Sequence, residues 1–173
     1  IGESARSANF SLYGYERETN PLLAGDDVVA YRAVASATST TAAVKAILDH
    51  KPTGKLYEIL PNYMARNGVD VIWRSTNFGE PPLHIASRSN LKQLSERYPN
   101  ADSRYDAILL EGLKEEIEAS ASDKLLVILH TNTSHGPTYN KKYPEAFERY
   151  SPVCTTVEMS KANREELINA YDN

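Results

Sequence analysis

The chain has 173 residues, 41% hydrophobic and 24% charged, ordinary proportions for a globular fold with enough chain to bury a core and too apolar for a disordered polypeptide. Its net charge of −4 gives no electrostatic reason to expect nucleic acid, which favours a basic face. No stretch approaches the roughly 18–20 consecutive apolar residues that span a bilayer.

The chain opens on Ile1-Gly2-Glu3-Ser4, an apolar residue running into a Gly-acid-hydroxyl turn. It reads as already inside a folded motif, so a longer parent is expected. A Thr-rich turn, Thr38-Ser39-Thr40-Thr41, leads into a predicted helix over 41–49 with Val44, Ile47 and Leu48 inward. The next predicted helix, 55–67, places Leu56, Ile59, Leu60, Tyr63 and Met64 on one face and stops at Gly68. Pro61 interrupts it, which predicts a kink or two short helices.

Residues 69–73 read as a strand, and 75–98, with Pro81-Pro82, as a long polar loop acting as a lid or a family-specific insertion. Residues 108–119 carry Leu109, Leu113 and Ile117 at helical spacing with acids outward. The run 125–129 is aliphatic throughout, the pattern of a central parallel strand covered on both faces. A last helix is predicted from Ser160, as N-cap, through Leu167 and Ile168 to the end of the chain. Helix–strand alternation predicts an α/β domain, with a mostly parallel central sheet flanked by helices on both faces. Ligands in such folds bind at the carboxyl ends of the strands, where Glu3, the Thr cluster, Asn77, His130 and His135 would fall.

Each of these residues carries two readings. Glu3 is a hard oxygen ligand for Zn²⁺ or, on the dipeptide alone, an N-cap or surface acid. A Thr hydroxyl is a nucleophile once a metal or base activates it, and a helix start attracts phosphate; taken alone, hydroxyls there cap helices. His130 and His135 flank a turn after a buried strand and suit metal binding, phosphate binding or proton donation. The alternative for His130 is a satisfied strand-end histidine; His135, in Ser134-His135-Gly136-Pro137, is harder to explain by packing. His50 and His84 read as surface residues, and Asp26-Asp27 and Glu115-Glu116 as solvated faces. The eleven tyrosines, against one Trp and three Phe, read as half-buried packing. Cys154 is the only cysteine, so no disulfide forms within these residues, and one thiol does not decide the redox compartment.

Gly2-Glu3-Ser4-Ala5-Arg6, Ser11-Leu12-Tyr13-Gly14-Tyr15-Glu16-Arg17 through Pro21, Ala37-Thr38-Ser39-Thr40 and Ile72-Trp73-Arg74 together resemble the lipid A phosphoethanolamine transferases, including the mobile colistin-resistance enzymes, of the alkaline phosphatase/sulfatase superfamily. The resemblance continues in 130–139 with its His-Gly-Pro turn, Tyr143-Pro144, Ser151-Pro152-Val153-Cys154, and Leu167-Ile168-Asn169-Ala170-Tyr171-Asp172-Asn173. The resemblance implies that residues 1–173 are the N-terminal portion of one periplasm-facing catalytic domain on the bacterial inner membrane. A transmembrane region and a C-terminal segment carrying the remaining zinc ligands are then absent, and a companion segment would complete the domain.

The implied reaction moves phosphoethanolamine from phosphatidylethanolamine to a lipopolysaccharide acceptor, lipid A, through a zinc-bound phospho-threonine. Glu3 then matches a zinc ligand, Asn77 a donor-headgroup contact, and His135 a phosphate or second-zinc contact, with His130 beside it. The nucleophile is Thr40 or Thr41 depending on alignment; the hydrophobic register of the following helix favours Thr40. Two departures stand out. Only Glu3 and one Thr are present where a zinc site needs about four ligands, and the family's cysteine partner for Cys154 is replaced by Ala162. A sulfatase or phosphoglycerol transferase of the same superfamily is the enzymatic alternative. A fragment inactive as it stands is the non-catalytic one.

Overall fold

The structure, a computed structural model, describes residues 1–49, 51 and 57–173, with Met159 described by its backbone alone. In chain order its helices and strands are α1 (Pro21–Ala24), α2 (Thr40–Leu48), α3 (Leu60–Arg66), β1 (Asp70–Ser75), β2 (Ser87–Asn90), α4 (Leu91–Arg97), α5 (Leu113–Glu118), β3 (Leu125–His130) and α6 (Arg164–Asp172). They fall into two compact units: Ile1 with Val34–Asn132, and Gly2–Ala33 with Thr133–Asn173.

The first unit holds a three-stranded parallel sheet in the order β2-β1-β3. Side chains alternate across a strand, so β1 and β3 feed two cores. Trp73 and Ile128 pack with Val44 and Leu48 of α2 and with Ile59 on one face. Leu129 meets Leu94 of α4, Ile108 and Leu109 on the other. Helical segments thus cover both faces of a parallel sheet, the expected α/β class.

The central strand is β1, buried from Val71 to Ser75. The aliphatic β3, predicted to be central, pairs only with β1 among the described residues and is mostly half-buried. An apolar run carries no information on strand order. At the C-terminal end of β3, the Ile1 nitrogen donates to the Leu129 carbonyl at 2.7 Å and the Ile1 carbonyl accepts from the Thr131 N–H at 3.0 Å.

The span 75–98 is not one loop: β2 and α4 lie inside it. The sequence Ser87-Arg88-Ser89-Asn90 has no strand signal of its own, and its pairing is supplied by the β1 backbone from Ile72↔Ser87 to Ser75↔Asn90. Asn90 then accepts from the Gln93 N–H at 3.0 Å while the Gln93 side chain accepts from the Asn90 N–H at 2.9 Å. That reciprocal capping box starts α4.

Pro61 makes no kink. It stands in the first turn of α3, where its missing N–H has no partner to lose. Lys55 and Leu56 of the predicted helix lie outside the described residues, as does His50. Ile59 is buried, whereas Leu60 and Tyr63 face outward, and in α2 Val44 and Leu48 take the inward stripe while Ile47 is 62% exposed.

The predicted helix 108–119 is broken. A 3-10 turn, Asp106–Leu110, precedes α5, and Gly112 between them sits at φ +58°. A Cβ on Gly112 would lie 2.2 Å from Oη of Tyr98, so this left-handed break is one that only glycine fits. The carbonyls of Leu109 and Glu111 at the break accept instead from the buried Arg74 guanidinium, at 3.0 and 2.6 Å. Arg74 also grips Glu116 of α5, whose other oxygen accepts from Ser87. Glu116 is therefore a structural anion rather than part of a solvated face.

The second unit has no strand among the described residues and is organised on polar anchors in α6. The buried carboxylate of Asp172 accepts from Asn9 Nδ2 at 2.7 Å, Tyr15 Oη at 2.8 Å and Arg17 at 3.1 Å. Arg17 also donates to Asn169 at 2.8 Å and lies over the Tyr150 ring. The α6 helix starts at Arg164 rather than after Ser160, because the Asn163 side chain caps the Glu165 N–H at 2.9 Å. Cys154 is buried and free.

Candidate active site

In the first unit, Thr40 is the first residue of α2, with Ser39 as N-cap. It is half-buried, whereas Thr41 is exposed. Against Thr40 lies the loop that leaves β1. A Cβ built on Gly79 would stand 2.7 Å from both Cβ and Cγ2 of Thr40 and 3.2 Å from the Thr41 nitrogen. The methyl side of Thr40 is therefore pressed on a backbone that only glycine can bring so near.

Asn77 shapes that loop. Its Oδ1 accepts from the Phe78 N–H at 2.7 Å and the Gly79 N–H at 3.2 Å, and its Nδ2 donates to the Thr131 carbonyl at 2.9 Å. Side-chain bonds of this kind replace a regular turn. The Asn77 N–H in turn donates to Ser75 Oγ at 3.1 Å, and Ser75 Oγ is 3.2 Å from Nδ1 of His130. Ser75 and His130 are register partners at the carboxyl ends of β1 and β3. The His130 ring is fully buried and meets Trp73 edge to face, 5.8 Å between centroids. Thr40, Asn77 and His130 thus belong to one continuous assembly at the carboxyl end of the sheet.

Glu3 and His135 lie in the second unit. Glu3 is half-buried and accepts a hydrogen bond from the Ser4 hydroxyl; Ser4 itself is at φ +49°. His135 is exposed, with Nδ1 2.8 Å from the Gly136 carbonyl. His84 is exposed, as expected. Among the described residues no group of three or more His, Cys, Asp or Glu could hold a metal ion. The residues present do not by themselves make a zinc site.

Two residues of the assembly went unread in the sequence. Gly79 carried a usable signal, since Asn followed two residues later by Gly is turn chemistry. Ser75 carried none, because its role depends on pairing with a strand far along the chain.

These features, a threonine at a helix start beside the carboxyl end of a parallel sheet, fit the class that comparison identifies. The chain belongs to the sulfatase family, whose model matches residues 1–173. Within that class the phosphoethanolamine transferase resemblance is borne out. The chain is 38% identical to phosphoethanolamine transferase EptA of Helicobacter pylori over 179 residues, covering 100% of this chain and 34% of that protein. It superposes on the C-terminal periplasmic domain of phosphoethanolamine transferase EptC from Campylobacter jejuni with TM-score 0.82 and 31% identity, covering 99% of this chain and 56% of that one. The integral membrane protein lipooligosaccharide phosphoethanolamine transferase A from Neisseria meningitidis gives TM-score 0.82 and 32% identity, over 99% of this chain and 34% of that one. The chain therefore spans about a third of the length of the curated relatives it matches. No helix among the described residues is long and apolar enough to cross a membrane.

Proposed function

We propose that this chain is the N-terminal portion of a periplasm-facing catalytic domain that transfers phosphoethanolamine from phosphatidylethanolamine to lipid A. The transfer runs through a phospho-threonine on Thr40. The observation that carries this reading is Thr40 itself, at the first position of α2 and pinned by Gly79 at the carboxyl end of β1. The N–H groups of a helix's first turn favour an incoming phosphate there. The similarity to phosphoethanolamine transferases along the whole chain supports phosphoethanolamine as the transferred group.

In the first half-reaction Oγ1 of Thr40 bonds to phosphorus, the bond from phosphorus to the glycerol oxygen breaks, and diacylglycerol leaves carrying the threonine proton. In the second, an acceptor oxygen on lipid A takes the phosphorus and its proton returns to Thr40. Of the three residues assigned to the phosphate and headgroup, His135 is exposed and free to touch them, while Asn77 and the fully buried His130 serve them by holding the loop beside Thr40. Glu3 and Thr40 are the ligands this chain would bring to Zn²⁺, and further ligands would have to come from outside the described residues. Such an ion makes an alcohol usable as a nucleophile near neutral pH and neutralises phosphate charge. An inner-membrane location follows from the lipid donor, with the anchor in a region N-terminal to this chain.

The test is intact-mass spectrometry of the complete protein incubated with phosphatidylethanolamine and zinc. A phosphoethanolamine adduct is expected on Thr40, lost in Thr40→Ala and kept in Thr41→Ala. Adduct retained in Thr40→Ala and lost in Thr41→Ala moves the nucleophile to Thr41. No adduct on folded protein rejects the transfer reading in favour of a sulfatase-type reaction.

A further inference from the structure

Phe78 stands out at the rim of this assembly. It lies between Asn77, which braces the loop, and Gly79, which touches Thr40, and it is 87% exposed. Single exposed apolar residues are common on protein surfaces, but three features set this one apart. First, it is not on a slack tip. The N–H groups of Phe78 and Gly79 are both bound by Asn77 Oδ1, and Asn77 is tied to Thr131 and, through Ser75, to His130. The backbone that carries the ring is therefore fixed while the ring stays in water.

Second, the loop is uncharged. The run Ser75-Thr76-Asn77-Phe78-Gly79 carries no formal charge, and the charges that bracket it are committed elsewhere. Arg74 is buried on Glu116, and Glu80 takes bonds from Trp73 Nε1 at 3.1 Å and from Arg88 at 2.6 Å. A neutral tip approaches a zwitterionic lipid surface without a desolvation penalty for charge. Third, consecutive Cα atoms are about 3.8 Å apart, so Phe78 is anchored one residue from the contact with the Thr40 side chain. A ring so exposed has no surrounding cage for a small cation, and its chemistry suits hydrocarbon.

We propose that Phe78 is a donor-specificity residue that rests on the glycerol–acyl boundary of the phospholipid while Thr40 reaches its phosphorus. This rests on the phosphoethanolamine-transfer reading and adds the part of the donor beyond the headgroup. Phe78 takes no part in bond making; it favours a donor with long chains in a bilayer over one with the same headgroup and short chains.

The test uses the complete protein and two donors, long-chain phosphatidylethanolamine in vesicles and dihexanoyl phosphatidylethanolamine as monomer. The readout is the ratio of kcat/KM for the two. In Phe78→Ser the long-chain to short-chain ratio is expected to fall about tenfold, as for losing roughly half the burial of a phenylalanine side chain, and to recover in Phe78→Leu. An unchanged ratio in Phe78→Ser, or equal losses on both donors, overturns the inference.

A second readout is independent of turnover. Trp73, the only native tryptophan of the chain, is fully buried. The extra fluorescence of Phe78→Trp over wild type should be quenched by vesicles containing phosphatidylcholine brominated on its acyl chains; unquenched fluorescence overturns the inference. Should wild type form no adduct with either donor, the transfer reading fails and quenching alone decides lipid contact.

Discussion

Arg74 and Glu116 show how one residue pair can organise a fold without appearing in any motif of catalytic chemistry. Arg74 is fully buried and Glu116 largely covered. The guanidinium spends its donors on the Glu116 carboxylate and on two carbonyls at a helix break. Burial by itself pushes the Glu116 carboxyl up, but the bonds from Ser87 and Arg74 and the positive charge outweigh it and hold the group below its usual range. A depressed carboxylate contributes stability above its unfolded pKa and loses it as pH falls through the folded value. Removing one partner of a buried pair leaves the other charge uncompensated and costs about 3–5 kcal/mol. Glu116→Gln is accordingly expected to lower the urea midpoint strongly at pH 7. The gap to wild type should narrow below about pH 4.5, the ordinary glutamate value. A gap that widens on acidification contradicts this account.

At the scale of elements, the contact between the β1 loop and α2 is set by the absence of a side chain. Gly79 has an ordinary backbone, so the case against a larger residue there is steric. Gly79→Ala puts a methyl 2.7 Å from Cβ and Cγ2 of Thr40, and one of the two elements must move. Overpacking of this kind costs about 1–3 kcal/mol, and a shift of about 1 Å in a reacting group costs on the order of 10²-fold in rate. The expected result for Gly79→Ala is a modest fall in melting temperature with a much larger loss of the Thr40 adduct rate. Near-normal adduct formation would mean that the loop does not position the nucleophile.

The same scale explains where the sequence reading of the elements went astray. Periodicity found α2, β1 and β3, because their own apolar residues make their faces, and it placed α3 although Leu60 and Tyr63 face outward. It missed β2, whose polar residues are paired by a neighbouring backbone, and it joined two segments across Gly112, whose left-handed backbone breaks the helix.

At the scale of the whole molecule, the stretches most diagnostic of the family do structural work in the second unit. Tyr15 and Arg17 of the Gly-Tyr-Glu-Arg stretch converge with Asn169 and Asp172 of the last helix. Burial, with the hydrogen bond and charge of Asp172, pushes the Tyr15 phenol up, so it remains a donor across the neutral range. Asp172→Asn keeps the shape, removes the charge and leaves Arg17 without its partner anion. It is expected to destabilise this unit by about 3 kcal/mol. Hydrogen exchange should report faster exchange over residues 9–19 and in α6, with β1 protection retained. Uniform loss of protection in both units would show that the chain melts as one cooperative body.

The sequence by itself determined the α/β class and the family, and it named the candidates for the chemistry. Those depend on residue type, local periodicity and motif spelling, which a linear chain displays. Only the tertiary structure decided that β1 is the central strand and that a buried Arg74–Glu116 pair holds the broken helix. It also decided that Asn77 bends its loop so that Gly79 meets Thr40, and that His130 is buried on Ser75 and Trp73. Each of these depends on a partner distant in the chain, and such a pairing is set by packing and desolvation in the folded state rather than by spacing along the backbone.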